Sequence, residues 1–167
     1  MRRLLVPAVL VATVALAAVL GYKTLGAREA APSVHYVLLD GQTADSSRWA
    51  GKVMLVNFWA TSCTTCVHEM PQIIATHEKY KDKGFDTLAV AMSYDPPAYV
   101  ANFAQSRQLP FGVAIDNTGA IAQAFGEVRL TPTSVLINKH GEIVKRFVGE
   151  PDFPALHALV EKLLAES

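Results

Sequence analysis

The chain has 167 residues, and its 15 Lys and Arg residues are balanced by 15 Asp and Glu residues. This length suits one domain that buries a sizeable core, together with a short appendage. The formal net charge is zero and no basic stripe is visible, which argues against a nucleic-acid partner.

The first 22 residues are predicted to be a membrane anchor. Arg2 and Arg3 precede an apolar run, and no charged residue occurs from Leu4 to Tyr22. That run is about as long as a transmembrane helix requires, and it is long for the core of a cleavable signal peptide. The positive-inside rule keeps the arginines in the cytoplasm and the rest of this single-pass protein outside the inner membrane. The alternative is a cleaved signal peptide, which would release a soluble periplasmic protein.

Residues 23–33 are rich in alanine and are predicted to be a linker, so that residues 34–167 form the folded domain. The first strand of this domain is expected at Val34–Leu39, before an Asp-Gly turn signal. A buried strand is expected at the apolar run Val53–Trp59.

The only two cysteines, Cys63 and Cys66, follow this strand at the start of a helical pattern that runs to about Lys83. A Cys-x-x-Cys at this place in a βαβ pattern is the signature of a thioredoxin-like redox site. The first turn of a helix offers unpaired N–H groups and the positive end of the helix dipole, and both favour a thiolate. We therefore expect Cys63 to have a lowered pKa and to be the nucleophile. Cys66, one turn further on, is close enough to resolve a mixed disulfide.

The rest of the chain predicts alternating strands and helices, followed by a hairpin and a last helix. The expected segments are a parallel strand at Phe85–Met92, a helix from Pro96 to about Gln108, an additional β–α unit at Phe111–Gly126, a hairpin within residues 133–149, and a helix capped by Asp152.

This order of elements resembles the membrane-anchored thioredoxin-like thiol–disulfide oxidoreductases of the TlpA/ResA kind. The resemblance covers the chain from about Val34 to its C-terminus, and it implies an α/β thioredoxin-like fold. That fold has a central mixed sheet flanked by helices, an N-terminal strand extension and an inserted β–α unit. The matching motifs are Val56-Asn57-Phe58-Trp59-Ala60-Thr61-x-Cys63-x-x-Cys66-x-x-Glu69-Met70-Pro71 and Thr131-Pro132-Thr133-x-x-Leu136-Ile137.

The resemblance also implies roles for individual residues. Cys63 is the exposed attacking cysteine and Cys66 the resolving one, the two forming the redox-active disulfide. Pro132 is a cis proline that faces the pair, and Thr131 offers its backbone to a bound peptide. Glu69 lies near the cysteines and tunes their protonation.

The activity implied by the resemblance is reduction of protein disulfides outside the cytoplasmic membrane, without a cofactor or a metal. A membrane thiol reductase would supply the electrons to a monomeric enzyme. Cysteines of apocytochrome c, in cytochrome c maturation, or of copper sites are the typical targets. Ser62 stands where the family commonly has tryptophan, so the rim beside Cys63 is smaller and more polar.

Other interpretations of the motif remain open. The two thiolates suit copper(I), so a copper(I)-binding chaperone is the alternative function, which copper titration of the reduced protein would test. His68 lies roughly 200° around the helix from Cys66 and is therefore a poor third ligand. A thiol peroxidase would need a Thr-x-x-Cys motif, and Thr61 is one residue too close to Cys63. Trp59 either fills the core or also shields the disulfide.

Overall fold

The computed structural model describes residues 28–166, and its frame is a mixed sheet of five strands. Counting the two strands of a separate hairpin first, the strands are β1 His35–Val37, β2 Thr43–Asp45, β3 Val53–Trp59, β4 Phe85–Ala91, β5 Gly112–Ile115, β6 Thr133–Ile137 and β7 Ile143–Val148. The order in the sheet is β5-β4-β3-β6-β7. β4 is parallel to β3 and β5, whereas β6 is antiparallel to β3 and β7. All seven residues of the central strand β3 are buried, as its apolar sequence predicts.

Four helices connect or follow these strands: α1 Thr64–Tyr80, α2 Pro97–Ser106, α3 Ala120–Ala124 and α4 Phe153–Ala165. α1 begins directly after Cys63 and continues through Pro71 into a short 3₁₀ turn. Gly84 ends this segment with a φ of 92°, a left-handed conformation that glycine adopts without a steric penalty. α4 begins at the predicted cap, where the Asp152 side chain accepts a hydrogen bond from the Ala155 N–H over 3.0 Å.

Each face of the sheet carries its own apolar core. One core joins the sheet to α1, α2 and α4, through residues such as Met70, Val100 and Leu156. The other core joins the opposite face to the β1–β2 hairpin and α3, through residues such as Tyr36 and Phe125. Full burial of each such side chain stabilises the fold by about 1.5–3 kcal/mol. The two cores hold β3 rigidly, and β3 leads directly to the cysteines.

The predicted α/β architecture is confirmed, including the extra unit, which is formed by β5 and α3. The N-terminal strand differs in its length and its partner. The expected strand at Val34–Leu39 is only the three residues of β1, and it pairs antiparallel with β2. β2 is too short to show an alternating pattern, so the sequence did not predict it. The hairpin reaches the main sheet through a bridge between Leu38 and Ala114.

The chain itself covers one end of the outer edge of the sheet. The Ala31 N–H donates to the Gly141 carbonyl over 2.8 Å, and the Ile143 N–H donates to the Glu29 carbonyl over 2.7 Å. Backbone hydrogen bonds to the sheet therefore begin at Glu29, upstream of Val34, the residue at which the domain is predicted to begin. The predicted anchor at residues 1–22 lies outside the described residues. Within residues 28–166, no helix is long and apolar enough to cross a membrane.

Candidate active site

The two cysteines lie at the N-terminus of α1 and are joined by a disulfide, with a Cα–Cα distance of 5.2 Å. Cys63 is the N-cap of the helix, and its Sγ accepts a hydrogen bond from the Cys66 N–H over 3.1 Å. Cys63 is partly exposed, whereas Cys66 has no exposed surface. A reacting partner can therefore reach the sulfur of Cys63 but not that of Cys66.

The turn that presents Cys63 is held by hydrogen bonds. The Cys63 N–H donates to the Ala60 carbonyl over 3.2 Å and closes the turn after β3. Within this turn, Thr61 donates both its N–H and its hydroxyl to the carboxylate of Asp95, each over 2.6 Å. Asp95 lies in the loop between β4 and α2 and is 2% exposed.

The Thr131–Pro132 peptide bond is cis, as the resemblance implies. Thr133 pairs with Phe58 across the β3–β6 ladder, so the register places Pro132 beside Trp59 at the end of β3. The end of β3, which precedes the cysteines, and Pro132, which precedes β6, thus lie side by side at one end of the sheet. The side-chain oxygens of Thr131 and Tyr94 are 3.2 Å apart, which ties this segment to the loop after β4.

Glu69 has no exposed surface and lies one turn after Cys66 on α1. Its Oε1 accepts a hydrogen bond from the side-chain amide of Asn57 over 3.0 Å, and the same amide donates to Ser134 over 2.9 Å. Glu69 Oε2 and Asn57 Oδ1 have no partner within the described part of the chain. Burial raises the pKa of Glu69 to about 7, the hydrogen bond from Asn57 opposes the rise, and the charge of Glu150 adds to it. A carboxyl group with this pKa can release and accept a proton near neutral pH.

Trp59, the last residue of β3, is fully buried. Its ring centroid lies 5.0 Å from that of Phe103 on α2, so it fills the core beneath the turn. The indole N–H finds no acceptor among residues 28–166.

His68 is exposed, and its Nδ1 lies 3.2 Å from a carboxylate oxygen of Glu150. In residues 28–166, no three His, Cys, Asp or Glu side chains converge in the arrangement of a metal site.

The sequence alone assigns no role to three buried polar residues at this site: Asn57, Asp95 and Ser134. Asn57 had a usable signal, because it is the one amide in the apolar run of β3. Asp95 and Ser134 had none, since their partners are 34 and 77 positions away in the sequence.

Comparisons with known proteins agree with this geometry. The family model described as Redoxin matches residues 26–160. The chain is 35% identical to the thiol–disulfide oxidoreductase ResA of Bacillus thuringiensis subsp. konkukian over 133 residues, which are 80% of this chain and 76% of that protein.

Two solved structures are also similar. A thioredoxin-type protein of Neisseria meningitidis has a TM-score of 0.78 and 44% identity, over 84% of this chain and 93% of that one. A thiol:disulfide interchange protein of the thioredoxin family from Chlorobium tepidum has a TM-score of 0.77 and 26% identity, over 84% of this chain and 99% of that one. These likenesses confirm the expected thioredoxin-like fold.

Proposed function

Because this chain belongs to the Redoxin family and is a thioredoxin-like thiol–disulfide oxidoreductase of the TlpA/ResA type, we propose that it reduces disulfides of protein substrates outside the cytoplasmic membrane. The observation that carries the proposal is the unequal exposure of the two cysteines. Cys63 is accessible at the helix N-terminus, whereas Cys66 is buried behind it. Cys63 can thus attack the substrate, and Cys66 can then resolve the mixed disulfide.

The proposed reaction transfers two electrons from the reduced Cys63–Cys66 pair to the substrate. The Cys63 thiolate attacks one sulfur of the substrate disulfide, forms a mixed disulfide, and expels the other sulfur as a thiolate. Cys66 then loses its proton and attacks the sulfur of Cys63. A Cys63–Cys66 disulfide forms, and the second substrate sulfur leaves and takes up a proton.

We assign Glu69 the role of accepting the proton that Cys66 loses. Both side chains are buried, and they lie three residues apart on α1, so bulk water is a poor acceptor for that proton. A carboxyl group with a pKa of about 7 can accept it near neutral pH. Asn57 supports this role, because its hydrogen bond holds the Glu69 carboxyl in place.

Exposed apolar side chains near the cis proline support a protein substrate. Tyr94, Leu130 and Val148 are large apolar side chains that are each more than half exposed, and they flank the segment of the cis proline, where a shared apolar patch can mark an interaction site. Leu130 and Val148 line a groove of about 430 Å³ that adjoins Thr133 at the start of β6. An extended segment of a substrate would pass over Thr131, whose backbone is one residue from the cis proline. Cysteines of apocytochrome c or of copper sites are the substrate classes that the resemblance suggests.

The proposed location is the periplasmic side of the inner membrane, with residues 1–22 as a single-pass anchor and a membrane thiol reductase as electron donor. We expect the full-length protein to stay in the membrane fraction after extraction at alkaline pH, because a span of about 20 apolar residues resists that treatment. Cell fractionation with detection of a C-terminal tag measures this. Recovery of a shortened protein in the soluble periplasmic fraction would instead support cleavage of a signal peptide.

The Cys66→Ser variant tests the proposed reaction. We expect it to accumulate covalent adducts with substrate proteins, because Cys63 can still attack but nothing resolves the mixed disulfide. Non-reducing gel electrophoresis, followed by mass spectrometry of bands that dithiothreitol releases, measures the adducts. The double variant Cys63→Ser/Cys66→Ser is the matched control and should form none. The proposal fails if Cys66→Ser forms no adducts and the wild type also fails to reduce a protein disulfide.

A further inference from the structure

We propose that Asp95 is a positioning residue for the attacking sulfur of Cys63 and that it acts through Thr61. This inference rests on the proposed role of Cys63 as the nucleophile. It extends that role to a carboxylate in another loop, 34 positions from Thr61 in the sequence.

The contact joins the whole Asp95 carboxylate to a single residue of the turn. Oδ2 accepts the Thr61 N–H and Oδ1 accepts the Thr61 hydroxyl, each over 2.6 Å. Thr61 follows Ala60, whose carbonyl accepts the Cys63 N–H and closes the turn. Both donors of Thr61 are therefore held, and the turn has little freedom to rotate before it reaches Cys63.

The burial of Asp95 indicates that this carboxylate is not a filler of the core. The residue is 2% exposed, and no Lys, Arg or His side chain in residues 28–166 lies within ion-pair distance of it. Burial of an unpaired carboxylate is unfavourable unless hydrogen bonds compensate it, and an apolar side chain would fill the space at less cost. The two bonds to Thr61 provide the compensation and account for an acidic residue at this position.

Asp95 is itself fixed in place. Its N–H donates to the Met92 carbonyl over 2.9 Å, and the Met92 N–H donates to the Trp59 carbonyl over 3.0 Å at the end of β3. Pro96 and Pro97 follow directly, and proline rings restrict the backbone on that side. The carboxylate is thus held by its own backbone contacts and can fix the position of the turn.

The turn controls the environment of the Cys63 sulfur. With Cys63 as the N-cap at φ −88° and ψ 104°, its Sγ meets the Cys66 N–H at 3.1 Å. A hydrogen bond from a backbone N–H to an anion is stronger than a bond between neutral groups. A rotation of the turn would move the sulfur off this donor, so the thiolate of the reduced protein would lose part of its stabilisation.

The same loop also reaches the other side of the site. The hydroxyl of Tyr94, the residue before Asp95, is 3.2 Å from the Thr131 side-chain oxygen. One loop therefore contacts both the turn that carries Cys63 and the residue before the cis proline. Asp95 positions the sulfur relative to Pro132 as well as to α1.

The variant Thr61→Val isolates this contact, because it keeps the shape of the side chain, removes the hydroxyl bond and changes no charge. We expect thiolate formation at Cys63 to become less favourable by up to about 10-fold, the upper limit set by the net free energy of the one lost hydrogen bond. The alkylation midpoint, which is the pH at which iodoacetamide alkylates Cys63 at half its maximal rate, should rise accordingly. It is measured on the reduced full-length protein. kcat for disulfide reduction should fall by a similar factor with KM unchanged, since the Thr61 hydroxyl is bound to Asp95. Thr61→Ser keeps the hydroxyl, so the acid dissociation constant of the Cys63 thiol should stay within about twofold of that of the wild type.

A double-mutant cycle with Asp95→Ala completes the test. In the Asp95→Ala background, Thr61→Val should have no further effect on the alkylation midpoint, because the acceptor is already gone. The inference is overturned if the effect of Thr61→Val persists in that background. It is also overturned if both single variants unfold at lower temperature but keep the wild-type midpoint and kcat, since their role would then be structural only. Alkylation reports on the Cys63 thiol without any substrate, so a wrong assignment of the reductase activity would not affect this result.

Discussion

Replacing Cys63 with serine is expected to lower the rate of protein-disulfide reduction about a thousandfold or more, to the background rate of the reductant. A serine hydroxyl is barely ionised at neutral pH and is a poor nucleophile towards sulfur, whereas the cysteine is available as a thiolate. Cys66 does not replace it, because its side chain has no exposed surface. Reduction of insulin disulfides by dithiothreitol, followed by turbidity, measures the loss.

A control variant shows whether activity requires a thiol at position 63 or only an exposed thiol anywhere on the domain. In the Cys63→Ser background, Ser106→Cys adds an exposed thiol at the C-terminus of α2 and not at the N-terminus of a helix. This thiol lacks the cap geometry and the resolving partner, so we expect it to restore no turnover. Recovery of activity in that variant, or near-normal activity of Cys63→Ser alone, would show that Cys63 is not the attacking residue.

The second large effect is expected from Glu69→Gln on the pH dependence of stability. The pKa of Glu69 is raised from 4.5 to about 7 by burial, so the folded state favours the protonated carboxyl. Its contribution to stability is fully present below pH 4.5 and is lost as the pH rises through about 7. At about 1.4 kcal/mol for each tenfold change in proton affinity, the loss is about 3 kcal/mol. Glutamine carries no such charge, so the variant should gain about 3 kcal/mol relative to wild type between pH 4 and pH 8.

Denaturant unfolding of the oxidised protein at several pH values measures this difference. In the oxidised state the cysteines carry no titratable thiol, so they do not contribute. Burial also lowers the pKa of His77, but that contribution is common to both proteins and cancels in the comparison. Glu78→Gln, on the exposed side of the same helix, is the matched control for removal of a carboxylate, and it should change the pH dependence far less, through its weak effect on the pKa of His77. A constant difference between Glu69→Gln and wild type from pH 4 to pH 8 would contradict the prediction.

The sequence predicts the fold well where a segment is long and its pattern is strong. β3 is one apolar run, and the periodic helix α1 starts at the cysteines, so both are visible locally. The hairpin of β1 and β2 is not, because strands of three residues show no pattern and depend on contacts with distant parts of the chain. The extra unit of β5 and α3 is predicted because turn signals separate it from its neighbours.

The site is predictable to the extent that it is local. The spacing of Cys63 and Cys66 already places both sulfurs within one helical turn. Glu69 enters only through the resemblance, because its spacing shows which face of the helix it shares but not that the face is buried. Asn57, which binds Glu69, and Asp95, which binds the turn at Thr61, lie on another strand and another loop. Only the tertiary structure brings them to these partners.

The pairing of Glu29–Ala31 with the start of β7 has a consequence for solubility. β7 is the last strand of the sheet, and an open strand edge offers unpaired backbone groups on which a second molecule can assemble. Here the chain occupies the first part of that edge itself. Further along, Lys145 adds an exposed positive charge that opposes the approach of another copy. The domain thus carries its own protection against edge-to-edge aggregation along β7.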